Sequence, residues 1–144
     1  MDLIKKRQEE IIEEFSMLDG DMEMTLNYIM ELGEELGDMP EADKVEENIV
    51  KGCQSKVWMT ARMDQDRIQY RADSNTAITK GLVSLLVRVL NQSSPESIIK
   101  AEIYFPKQIG MDRFIGTQRS NGFAAMIQQM KRYAIAFSAK ANQS

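Results

Sequence analysis

Apolar residues recur at helical spacing along most of the chain and switch to strand spacing in its middle. Near the start, Ile4, Ile11, Ile12 and Phe15 share one face, with Glu9, Glu10, Glu13 and Glu14 mostly elsewhere, which predicts a helix over 3–15. Asp19-Gly20-Asp21 breaks it. Asp21 is placed to cap a second helix over 22–36, whose apolar face is Thr25, Tyr28, Ile29, Leu32 and Leu36. Gly37-Asp38-Met39-Pro40 ends that helix, and a polar, acidic loop runs to residue 47. The period then changes: Ile68 and Tyr70 alternate with charged and polar neighbours, as in a half-exposed strand. Three strands are expected, over 46–51, 56–63 and 67–73, with a hairpin turn at Asp64-Gln65-Asp66. Asp73-Ser74-Asn75 is a helix-starting cluster, and Ile78, Leu82, Leu85, Leu86 and Val89 predict a helix over 76–90. Gly81 among those apolar positions points to close approach by another element. Ser94-Pro95 opens a short helix, residues 101–115 lack a clear period, and Thr117 can cap a last helix over 118–138. Its stripe of Phe123, Ile127, Met130, Tyr133, Ala134 and Phe137 reads as core, and 139–144 as a frayed tail. The expected class is α+β: a small antiparallel sheet of about three strands packed by helices, in one domain over 1–144.

Composition narrows the chemistry. A chain of 144 residues buries about two thirds of its unfolded surface and needs no disulfide or structural metal. It holds one cysteine and no histidine. The missing histidine removes the usual neutral-pH base and excludes Cys-His and Ser-His-Asp machinery. It also leaves too few ligands for a zinc or iron–sulfur site within one chain. The N-terminus runs straight into charge at Lys5-Lys6-Arg7, unlike a signal peptide, and no apolar run approaches the roughly 20 residues that span a bilayer. A reducing, cytoplasmic setting without membrane contact is expected.

Charge is divided unevenly. Residues 1–50 carry a net of −12 and residues 51–144 a net of +8, within a total of −4. The basic residues are scattered, with little aromatic interleaving, so nucleic acid is not the expected partner. A solvated surface, contact between the halves or a charged protein partner fits better.

The candidate chemistry sits at Cys53. Gly52 before it permits a tight turn and close backbone approach; polar Gln54 and Ser55 follow it, and short apolar segments flank the loop. An exposed loop is a poor place for a packing residue. Lys51 and Lys56 put positive charge near the sulfur and, with loop amides, are expected to favour the nucleophilic thiolate. Arg119 stands in the first turn of the last helix, where the dipole disfavours a cation. That position suggests a role beyond helix formation.

These residues resemble the SufE family and its relative CsdE. The resemblance rests on Tyr28-Ile29-Met30-Glu31-Leu32-Gly33, Val50-Lys51-Gly52-Cys53-Gln54-Ser55-Lys56-Val57-Trp58, Ala72-Asp73-Ser74 with Ile78-Thr79-Lys80-Gly81-Leu82, and Arg119-Ser120-Asn121-Gly122-Phe123 with Ala125-Met126-Ile127. It covers about residues 15–138. It implies the α+β fold shared with IscU-type scaffolds, and a chain that takes sulfane sulfur from a cysteine desulfurase of the SufS or CsdA kind. Cys53 would hold the sulfur as a persulfide, stimulate the desulfurase and deliver sulfur to an iron–sulfur scaffold. Gln54 and Ser55 belong to the loop itself, and Arg119, Asn121 and Gly122 to a segment expected beside it. Pyridoxal phosphate is the partner's cofactor, with none expected on this chain, and a homodimer is left open. The absence of further cysteines argues for carriage over cluster building. Rival readings are a non-carrier adaptor that activates the desulfurase and a single-cysteine thiol redox protein.

Overall fold

The computed structural model describes residues 2–142. Helix α1, Leu3–Ser16, starts on Asp2, whose carboxylate accepts from the amides of Ile4 and Lys5. Helix α2, Met22–Leu36, starts on Asp21, which accepts from Met24 N at 2.9 Å. Strands β1, Val57–Asp64, and β2, Arg67–Ser74, form an antiparallel hairpin in register from Val57 opposite Ser74 to Asp64 opposite Arg67. Helix α3 spans Ala77–Leu90, α4 Pro95–Lys100, α5 Phe105–Gln108 and α6 Met111–Asn142. Ser94 caps α4 as its sequence suggests, with Pro95 in the first turn.

Helix α3 is the centre. Its residues 81–87 are all buried, and it packs on α2, β2, α1 and α6. The crossing with α2 is close because both helices lack a side chain there: a Cβ on Gly81 would lie 2.0 Å from Ile29 O, and one on Gly33 2.7 Å from Gly81 N. The expected close approach at Gly81 is thus a glycine-on-glycine contact. The inner face of the hairpin, Val57, Met59, Ile68, Tyr70 and Ala72, closes the core with Phe123, Met126 and Met130 of α6. The Tyr70 hydroxyl donates to Met130 O at 2.6 Å.

The sheet has two strands, not three. The expected first strand pairs only where Val50 N donates to Val57 O at 2.8 Å and Ile49 bridges Trp58. Glu46–Asn48 instead winds into a 3-10 turn, with Asn48 Nδ2 donating to Asp43 O at 2.7 Å. On the other edge, Ile68 bridges Ser93. Residues 101–115 are more ordered than their pattern suggests. Buried Gln8 donates to Glu102 O and accepts from the amides of Tyr104 and Phe105, which seats α5 with Phe105 fully buried. The last helix begins earlier than expected, breaks at Gly116 (φ 82°) and continues to Asn142, through most of the expected frayed tail; residues 143–144 lie outside those described.

Candidate functional site

The loop bearing Cys53 is closed at its base by the Val50–Val57 hydrogen bond and held along its C-terminal side by the start of α3. Lys56 N donates to Asn75 Oδ1 at 3.0 Å, while Asn75 N and Ser74 Oγ both donate to Lys56 O. Ser55 Oγ accepts from Thr76 Oγ1 at 2.9 Å and Thr79 Oγ1 at 3.3 Å. Asn75 and Ser74 look in the sequence like helix caps, but in the structure Thr76 holds the cap position, and these two side chains fasten the cysteine loop instead. Beneath them Asp73, 2% exposed, accepts from the amides of Met39 and Ser74 and faces Lys44 and Lys80, each at 3.3 Å. Burial pushes this carboxyl up, but the two amides and two ammonium groups outweigh it, and its pKa stays below the ordinary value. The charge fastens the 38–44 segment to the root of the loop, and Lys44 also lies 5.6 Å over the Trp58 ring.

At the tip, Gly52 has φ +99°, and a Cβ there would come 3.1 Å from Ala125 Cβ. That turn lays Cys53 on α6. The thiol is half-buried and donates to Gly122 O at 3.4 Å. A Cβ on Gly122 would lie 3.4 Å from the sulfur, an ordinary contact distance, so the glycine leaves free space beside the thiol. Beside it opens a cavity of about 90 Å³. Of the expected site residues, Cys53, Gln54, Ser55, Arg119 and Gly122 line it together. Arg119, exposed on the first turn after the Gly116 break, thus lies at the mouth of the sulfur site. Lys51, Lys56 and Asn121 are exposed and outside the cavity lining.

The thiol's electrostatics differ from expectation. Burial pushes the Cys53 pKa up, where lysine charge was expected to pull it down. Both lysines point into solvent, which screens them, while the sulfur sits against a helix that excludes water. The resting thiol therefore holds its proton. The sulfur is tucked against α6, at Gly122.

Thr79, Leu82, Gln118 and Met126 complete the cavity and escape a reading of the sequence. A signal was present: Arg119, Gly122 and Met126 follow i, i+3, i+7 spacing, a single helical face with a gap at the glycine. Among the described residues, no cluster of three or more His, Cys, Asp or Glu could hold a metal ion, and no helix is long and apolar enough to cross a membrane.

A solution structure of a hypothetical protein from Thermus thermophilus shares the fold, with a TM-score of 0.74 at 18% identity over 96% of this chain and 97% of that one. An uncharacterized SufE-like protein of Synechocystis sp. is 35% identical over 105 residues, 73% of this chain; the match spans 66% of that relative, just under two thirds of its length. The SufE profile, described as an Fe-S metabolism associated domain, matches residues 9–134. That match runs from α1 through the cysteine loop to the far part of α6, and the chain belongs to the SufE family.

Proposed function

We propose that this chain accepts sulfane sulfur on Cys53 from a cysteine desulfurase and passes it on for iron–sulfur cluster assembly. The observation that supports this reading most directly is a lone cysteine on a glycine turn, its sulfur resting beside a cavity of about 90 Å³. Transfer needs one thiolate and no base of its own beyond what the partner supplies. The Cys53 thiolate attacks the outer sulfur of the donor's persulfide. The donor's S–S bond breaks, a new one forms on Cys53, and the donor leaves as a thiolate that takes up the proton Cys53 released. No net oxidation occurs. At rest, burial keeps the thiol protonated; docking would free the tip from Gly122 and bring it into the donor's site. On return, the cavity gives the added sulfur a place partly shielded from oxidants, with the Arg119 guanidinium at hand to stabilise its negative charge.

A redox sensor needs a low-pKa, accessible thiol, and the raised pKa and half-burial of Cys53 oppose that reading. The test combines this protein with the cysteine desulfurase of the same genome and free cysteine. Intact mass should show one extra sulfur on the wild type and none on Cys53→Ser, with an unchanged melting temperature and lost stimulation of cysteine turnover. A serine variant that stimulates fully would transfer the assignment to a non-carrier adaptor.

A further inference from the structure

The solvent face of the β-hairpin is cationic on an acidic protein. Side chains alternate along strands, and the register places Thr60 opposite Arg71, Arg62 opposite Gln69 and Asp64 opposite Arg67 on one face. Arg62, Arg67 and Arg71 are all exposed, and none is in an ion pair among the described residues. The chain has 22 carboxylate side chains against 18 Lys and Arg, so free arginines on one face are not a matter of supply. Asp73, on the same face, is already neutralised by Lys44 and Lys80. Gln69, in the column between Arg67 and Arg71, is uncharged, so no carboxylate separates those two arginines on the strand.

We infer that this face receives an acidic surface of the desulfurase that loads Cys53, an inference that rests on the acceptor reading above. The face begins at Trp58, just past the cysteine loop. At about 3.3 Å per residue, Arg71 lies roughly 7 Å along the hairpin from Trp58, Arg62 roughly 13 Å and Arg67 roughly 20 Å. A partner covering a standard ~800 Å² has a footprint radius of about 16 Å. A partner centred near Trp58 therefore covers Arg71 and Arg62 and stops short of Arg67. Nucleic acid is disfavoured because the net −12 of residues 1–50 repels a polyanion. A second copy is disfavoured as well. Acidic helices meeting this basic face would form a head-to-tail contact, which propagates into chains unless a ring closes.

The test measures association of this protein with the desulfurase of its own genome across ionic strengths. Arg62→Glu with Arg71→Glu should slow association by roughly tenfold or more at low salt and flatten its salt dependence. Arg67→Glu should do less. A charge-matched control, Lys6→Glu with Lys140→Glu, should leave the rate near wild type. Wild type that fails to bind, or equal rates in the arginine variant and the control, overturns the inference. So does sedimentation of this protein alone showing an oligomer that the arginine change dissolves, or a duplex DNA shift that it abolishes. Intact mass at saturating desulfurase separates the two readings. A double variant still loaded at Cys53 assigns the arginines to docking, while wild type that binds but never gains sulfur removes the acceptor reading and leaves the docking face standing.

Discussion

Two pairs of chain segments approach each other over glycine, and they differ in slack. At the α2–α3 crossing, an added methyl on Gly81 would meet backbone at 2.0 Å, a distance no Cβ tolerates. At the sulfur site, an added methyl on Gly122 would meet the Cys53 sulfur at 3.4 Å, ordinary contact. One glycine locks the core; the other leaves room beside the thiol. The two contacts complement each other, since a loop moves reproducibly only against a fixed floor.

Substituting at the tight contact should have the largest effect. Gly81→Ala gains about 1 kcal/mol of helix propensity but pushes α3 away from Ile29. Overpacking costs about 1–3 kcal/mol and occasionally more, and a clash with unyielding backbone belongs at the upper end. The expected net loss is about 2 kcal/mol or more in chemical denaturation. A variant as stable as its parent would show that the two helices separate cheaply and that the contrast is false.

The slack contact predicts the opposite pattern. Gly122→Ala should keep or raise stability, by up to about 1 kcal/mol, because it removes a glycine from a helix interior. Its methyl occupies space beside the thiol. A persulfide loaded on Cys53 should then be lost several-fold faster than in wild type, followed by intact mass over time. An unchanged lifetime would mean that the cavity does not shelter the added sulfur.

How far the sequence reaches follows the same division. Helices α1 to α3 are legible to within a residue or so because α1 and α2 each carry one apolar face, α3 is a long run rich in apolar residues, and Asp21 and Gly37 punctuate the chain. The missing third strand was not legible. Ile49-Val50 has strand character, but two residues next to a Gly52 with φ +99° support one bridge and no ladder. Residues 101–115 were illegible for a different reason: the partner of their backbone is Gln8, 94 residues from Glu102, and no local pattern reports it. Of the site, the Gly-Cys turn and the Arg119–Gly122 segment could be found, since their residue types are unusual where they stand. The sign of the thiol's pKa shift could not. Counting nearby lysines captures charge, whereas burial is set by a helix 69 residues away.

The smallest expected effect tests that last point. If burial against α6 sets the thiol's behaviour, Lys51→Glu with Lys56→Glu should change the rate of iodoacetamide alkylation at neutral pH by less than about threefold, because exposed charges are screened within about 8 Å at physiological salt. The rate in wild type should keep rising above pH about 8.5, the ordinary thiol value, since the folded pKa is raised. Stability carries the same sign. A raised folded pKa means that the folded state holds the proton more tightly, so this contribution is complete below the unfolded value and is lost as pH rises through it toward the folded one. Wild type should therefore lose ground to Cys53→Ser in denaturation experiments above pH about 8.5, the subtraction removing tyrosines and lysines common to both. A large slowing of alkylation by the lysine reversal, together with a pH-independent gap between wild type and serine variant, would return control of the thiol to the two lysines.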